Sequence, residues 1–199
     1  VAVPDPSLDM DQVGLPEAMA WKIYSPFIMR KLIQGGQKAM QAAQEIEERT
    51  ATAKRALEKV ILERPVLINR APTLHKYNIM ALFPKLRKDK TVAVPPIIEG
   101  GFNLDHDGDQ VNIFVPATEE ARVEAINNML PSKNLLDPRD RTAHYKPGHE
   151  AVYGLWKATT PTKKTPKKFK TQEAAFDAYR RGEIDINDPI EIEELAEQQ

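Results

Sequence analysis

The chain has 199 residues, of which 41% are hydrophobic and 29% charged, with no cysteine and a net charge of −1. Disulfides and thiolate zinc sites are excluded, and no apolar run nears the ~20 residues that span a bilayer. The length allows one large domain, or one domain with a small appendage, in what these features predict to be a cytoplasmic protein.

Val1 to Pro4 reads as a short extended piece leading into an acidic loop with Asp5, Asp9 and Asp11. Opening on Val1 fits either an excerpt of a longer polypeptide or a processed product, and the residues leave both open. Leu15 to Tyr24 predicts a helix with Pro16 in its first turn. Ser25-Pro26 predicts a break and a fresh helix start, with Ser25 capping, and that helix runs to about Ile33 before Gly35-Gly36. Residues 37 to 63 lack proline and glycine. Met40, Ala43, Ile46, Ala53, Leu57 and Val60 recur there at three-four spacing, which predicts one long amphipathic helix with a core-facing stripe.

Pro65 to Asn69 predicts a buried strand, followed by a turn over 70–73 and an extended stretch from Ile79 to Phe83. Thr91 to Ile98 is β-rich but carries Pro95-Pro96, which suits an edge or irregular barrel strand. Val111 to Val115 is a further strand. Thr118 caps a predicted helix from Glu119 to Leu130, Pro147 starts another to about Lys157, and Thr171 caps a last one ending at Gly182. Few strands joined by long helical excursions predict an α+β fold, a compact barrel with inserted helices, in place of a doubly wound sheet.

Charge is unevenly spread. Between Glu63 and Lys90 there are seven basic residues (Arg64, Arg70, Lys76, Lys85, Arg87, Lys88, Lys90) against Glu63 and Asp89, a net of +5. That segment is a candidate nucleic-acid face despite the balanced total. The run from Lys157 to Lys170 (Lys163, Lys164, Lys167 and Lys168 among prolines and threonines) reads as a linker with a solvated surface, with nucleic-acid contact as the open alternative. Acid collects from Glu183 to Glu197.

The most informative feature is Asp105-His106-Asp107-Gly108-Asp109. In a flat strand the outer two carboxylates would stand about 13 Å apart, too far for one small ion. Gly108 permits backbone angles that let the chain curl. Converging carboxylates repel and favour a cation between them, and hard oxygen ligands suit Mg²⁺ or Mn²⁺. A solvated acidic turn is the plain alternative. An EF-hand is excluded, since its sixth and twelfth positions, counted from Asp105, hold Gln110 and Pro116 where glycine and glutamate are required. A calcium turn of another kind stays open.

Two blocks, Pro65-Val-Leu-Ile-Asn-Arg-Ala-Pro-Thr-Leu-His75 and Asn103-Leu-Asp-His-Asp-Gly-Asp-Gln110, together resemble the largest subunit of multisubunit DNA-dependent RNA polymerases, called β′ in bacteria. The similarity extends to Gln12-Val-Gly-Leu-Pro16, Pro26-Phe27, the helix after Val115-Pro116 and the segment around Ala178-Tyr179, so it covers most of the chain. The resemblance implies a double-psi β-barrel over 1–116, with a helical insertion at about 15–63. Flanking helices over 117–158, then a basic linker, a small helix and an acidic tail over 159–199, follow. It implies that Asp105, Asp107 and Asp109 hold a catalytic Mg²⁺ in a two-metal nucleotidyl transfer, the second ion arriving with the nucleoside triphosphate. Arg70 and Asn103 match positions that approach the sugar hydroxyls of the incoming nucleotide, and Pro72 and Gln110 match positions that shape the pocket and the RNA end.

Leu104 and His106 depart from the family pattern, which has alanine and phenylalanine there; all three aspartates remain. His106 reads either as a packing replacement or as a group near the ion. The implied partners are the second-largest (β-type) subunit, DNA template, nascent RNA, nucleoside triphosphates and other segments of the β′-type subunit, with no membrane. The implied setting is the cytoplasm, nucleoid-associated, or a host cytoplasm for a viral lineage. The resemblance also implies that the chain is inactive alone. Two other readings compete: a polymerase-like barrel kept as an assembly scaffold or nucleic-acid-binding module, and a metal-dependent phosphohydrolase with His106 or His75 beside the ion.

Overall fold

The computed structural model describes residues 1–160 and 165–193. They fall into two units, Val1–Lys146 and Pro147–Gln199. In the first, β1 (Ala2–Pro4) and β2 (Gln12–Pro16) precede three helices, α1 (Glu17–Gln34), α2 (Ala39–Glu47) and α3 (Ala51–Glu63). Then come β3 (Val66–Asn69), β4 (Ile79–Arg87), β5 (Val92–Val94), the short α4 (Glu99–Phe102), β6 (Asn112–Phe114) and α5 (Glu119–Asn128). The strands form one mixed sheet in the order β1-β5-β2-β4-β3-β6. β1 runs parallel to β5 and β2 parallel to β4, while β2–β5, β3–β4 and β3–β6 are antiparallel.

The Ala2 N–H donates to the Asp109 carbonyl at 3.0 Å. Asp109 lies just ahead of β6, so the two outermost strands of the sheet are tied together and the sheet curls. Its inside is filled by Val13, Leu15, Ile68, Met80, Leu82, Val94, Ile98 and Phe102, with Tyr24, Ile28 and Leu57 from α1 and α3 packed into the same cluster. Each such side chain contributes about 1.5–3 kcal/mol of burial. Gly14 sits where β2, β4 and β5 meet, paired with Lys85 and with Ala93. A methyl group there would run into Arg87 Cδ and lie 2.7 Å from Ala93 Cβ, so the close approach of three strands requires glycine.

Four sequence expectations are corrected. Ser25-Pro26 does not divide the first helical region; α1 passes through Pro26 without a break. Ala20, Trp21, Tyr24, Ile28 and Leu32 are buried on one face along its whole length. Burial of that stripe on both sides of the proline outweighs the one lost backbone bond. The long helix over 37–63 is instead two helices. Arg49 takes a left-handed φ of 50°, and the Arg49 and Thr50 N–H groups close onto the Ile46 and Glu45 carbonyls. This is a Schellman end made without glycine, after which Thr50 Oγ1 caps α3 by accepting from the Ala53 N–H. β5 is interior, between β1 and β2, with Pro95 and Pro96 falling just beyond its end.

The second unit holds α6 (His149–Thr159), β7 (Lys167–Phe169), α7 (Gln172–Arg180) and β8 (Ile190–Ile192). β7 and β8 pair in parallel across α7. The basic run is therefore a linker only in part, the fourth correction: Lys167 and Lys168 lie in β7 and pair with Glu183 and Glu191. Residues 161–164, including Lys163 and Lys164, lie outside the described residues. Thr171 caps α7 as predicted, and Gly182 beyond its end has φ 72°. No described helix is long and apolar enough to cross a membrane.

Candidate metal and nucleotide site

β3 delivers Arg70 at its end, and the next peptide bond but one, Ala71–Pro72, is cis. From the other side, α4 ends at Asn103 and the aspartate loop carries the chain on to β6. The two segments meet at one carboxylate. Arg70 Nε donates to Asp109 Oδ2 at 2.6 Å, both side chains being about one-fifth exposed. The Asp105 N–H donates to the same oxygen at 2.9 Å. Gly108, at φ 120°, makes the reversal that lets Asp109 reach back to Asp105.

Electrostatics follow the contacts. The Arg70 hydrogen bond, reinforced by the Asp105 N–H, holds the Asp109 carboxyl below the usual carboxylate range. The same bond raises the Arg70 guanidinium. Asp105 and Asp107 are exposed on the loop. Among the described residues, no three carboxylate or imidazole side chains stand together closely enough to hold an ion. Repulsion explains the arrangement: like charges spread unless a cation gathers them, and Arg70 makes its direct hydrogen bond to Asp109 while Asp105 and Asp107 feel its charge at longer range. The donor set nevertheless suits a hard divalent ion. It offers carboxylate oxygens, and the Arg70 and Asp105 bonds to Asp109 both fall on Oδ2.

Asn103 is exposed in the left-handed region (φ 50°, ψ 48°) at the C-terminus of α4, a conformation asparagine tolerates well. Pro72 is exposed in the turn after Arg70, and Gln110 is exposed directly after Asp109. His106 Nε2 lies 2.8 Å from Glu99 Oε1 on α4. The basic segment is partly neutralised within the fold. Arg64 binds the Pro116 and Thr118 carbonyls, Arg70 binds Asp109, and Arg87 binds Asp5 and Asp89. Lys76, Lys85, Lys88 and Lys90 remain exposed.

Two residues at the site escaped the sequence reading, Glu99 and Asn78. Asn78 is fully buried, in the short helical turn between the Arg70 loop and β4. Its signal was present: an amide set directly before the apolar run Ile79 to Phe83, where a buried polar group must find partners.

Residues 32–130 match the family described as RNA polymerase Rpb1, domain 2. The DNA-directed RNA polymerase subunit beta′ of Bacteroides thetaiotaomicron is 38% identical over 197 residues, covering 96% of this chain and 14% of the relative. Its namesake from Nocardioides sp. is 36% identical over 197 residues, covering 96% and 15%. That of Mycoplasma capricolum is 38% identical over 192 residues, covering 94% and 15%. The chain thus spans about one-seventh of the length of these relatives.

Proposed function

The chain belongs to the family of the largest, β′/Rpb1-type subunits of RNA polymerase, and on that premise we propose that it carries the magnesium site for template-directed RNA synthesis. One observation above all supports this reading: Arg70 and Asp109, 39 positions apart, share a 2.6 Å ion pair. The two segments that resemble the family's nucleotide-contacting and metal-binding motifs therefore converge on a single oxygen.

In this reading Asp105, Asp107 and Asp109 bind the ion. Mg²⁺ held there supplies charge stabilisation to the RNA 3′-hydroxyl and the transferring phosphorus, with a second ion brought by the nucleotide. Arg70, fixed at its Nε by Asp109, keeps the outer nitrogens of its guanidinium for the sugar of the incoming nucleotide. Asn103 presents an amide from the far side of the loop. A donor fork and an amide aimed at a 2′-hydroxyl go unpaired when a deoxynucleotide binds, which selects ribose. Pro72 and Gln110 flank this pocket. The curled sheet over 1–116 is the double-psi β-barrel that supports it.

The reading entails a complex: a second-largest subunit, the remainder of the β′-type chain, template DNA, nascent RNA and nucleoside triphosphates, in the cytoplasm. Asp107 tests it, because that side chain is exposed and takes no part in the core. In the assembled enzyme Asp107→Ala is expected to abolish Mg²⁺-dependent RNA extension on a primed template while the barrel stays folded. Near-normal extension would overturn the metal assignment and favour a scaffold.

A further inference from the structure

Arg70 and the aspartate loop lie on separate segments, and a single ion pair does not fix two loops. The structure supplies a second fastening, buried beneath the first. The Asn78 side chain is 0% exposed. Its Oδ1 accepts from the Leu74 N–H at 3.2 Å and the His75 N–H at 2.9 Å. Its Nδ2 donates to the Gly101 carbonyl at 3.1 Å. One amide therefore closes the loop that follows Arg70 and Pro72, and joins it to the helix that leads into Asn103 and Asp105.

The approach is close by construction. A methyl group on Gly101 would run into Met80 Cε and lie 3.1 Å from Tyr145 Cε1. The Tyr145 hydroxyl reaches Met80 Sδ at 3.7 Å, closing the layer behind the amide. A side-chain amide meets all three demands with separate donor and acceptor atoms. Two backbone N–H groups need an acceptor, one carbonyl needs a donor, and the space is that of a short side chain. Buried polar groups with every partner satisfied are rigid, and losing one partner leaves the others unpaired.

We propose that Asn78 is a positioning residue, which holds the Arg70 loop in register with the metal loop so that ribose recognition and ion binding are set together. This rests on the reading of Asp105, Asp107 and Asp109 as the ion's ligands. Asn78 touches neither ion nor nucleotide; it acts through the two loops.

The experiment uses the complete assembled polymerase carrying Asn78→Ala, Asn78→Asp or, as a control for the site itself, Asp107→Ala. Three quantities are read: Mn²⁺ affinity by electron paramagnetic resonance, the preference for ribonucleotides over deoxynucleotides, and thermal unfolding. Asn78→Asp keeps the acceptor for Leu74 and His75 and, read at alkaline pH where its carboxyl is ionised, cannot donate to Gly101; it carries the test should the alanine variant fail to assemble. In both Asn78 variants, Mn²⁺ affinity and ribose preference are expected to fall together, each by about tenfold. Wild-type values for both in an assembled Asn78→Asp enzyme would overturn the inference, whatever its unfolding temperature. Loss of thermal stability with unchanged ion affinity and ribose preference would assign Asn78 a structural role only, and would overturn it equally. Unchanged Mn²⁺ affinity in Asp107→Ala would instead remove the site reading on which the inference rests.

Discussion

Arg70 is anchored to the aspartate loop by one ion pair. Its Nε neutralises Asp109, and in the proposed function the rest of the guanidinium serves the incoming nucleotide. Removing it would leave the Asp109 carboxylate, among the described residues, with the Asp105 N–H, and in the proposed function would strip the pocket of its donor fork. Arg70→Ala in the assembled enzyme is therefore expected to relax discrimination against deoxynucleotides by about tenfold or more. Competition between matched ribo- and deoxynucleotides on one template measures this, and an unchanged preference would remove the role assigned to Arg70. Asn103 and His106 make the complementary point that a motif position does not settle what a side chain does. Asn103 takes a left-handed backbone that its residue type tolerates, and His106 turns to Glu99 on α4.

Strands and helices place these residues through a few tight contacts. β3 is held between β4 and β6, so its C-terminal end points Arg70 at the loop that precedes β6. On the opposite side of the sheet, Gly14 lets β2, β4 and β5 close on one another. Gly14→Ala would force a methyl group between Arg87 and Ala93. The expected cost is about 1–3 kcal/mol, typical of overpacking in a closed core. Urea unfolding of wild type and variant measures it; a variant as stable as wild type would show that β4 can move aside. The helical insertion was only partly legible. The apolar stripe of α1 could be read from spacing, but its continuity through Pro26 could not, because it depends on what Tyr24, Ile28 and Leu32 are buried against. The break at Arg49 left no glycine or proline to mark it, and Thr50 was its one local sign.

At the scale of the molecule, carboxylates with bonded partners carry the pH response. The Ser7 hydroxyl and N–H, helped by Arg87, hold Asp5 below its usual range. Arg87 does the same for Asp89, and Arg139 for Asp137. A carboxyl whose pKa is lower folded than unfolded stabilises the fold at pH values above its unfolded pKa, here the ordinary aspartate value of 3.8. That contribution is lost as pH falls through the depressed folded value. Stability is thus expected to be flat from neutrality down to mildly acid solution and to decline below about pH 4. Unfolding temperature followed between pH 7 and pH 3 tests this, and the decline should be shallower in Asp5→Asn. An equal decline in that variant would show that the Asp5–Ser7–Arg87 contact does not contribute.

The residues by themselves determined the chemistry on offer. Three aspartates around a glycine, an arginine after a buried strand, apolar stripes and capping threonines are local properties, set by side-chain type and spacing over a few positions. They also carried the family resemblance. What only the tertiary structure decided is which of these groups meet. The 39 positions between Arg70 and Asp109, the buried reach of Asn78 to Gly101 and the closure of Ala2 onto Asp109 all depend on non-local packing. No short window of sequence contains both partners of such a contact. The energy that selects it comes from burying the whole core at once.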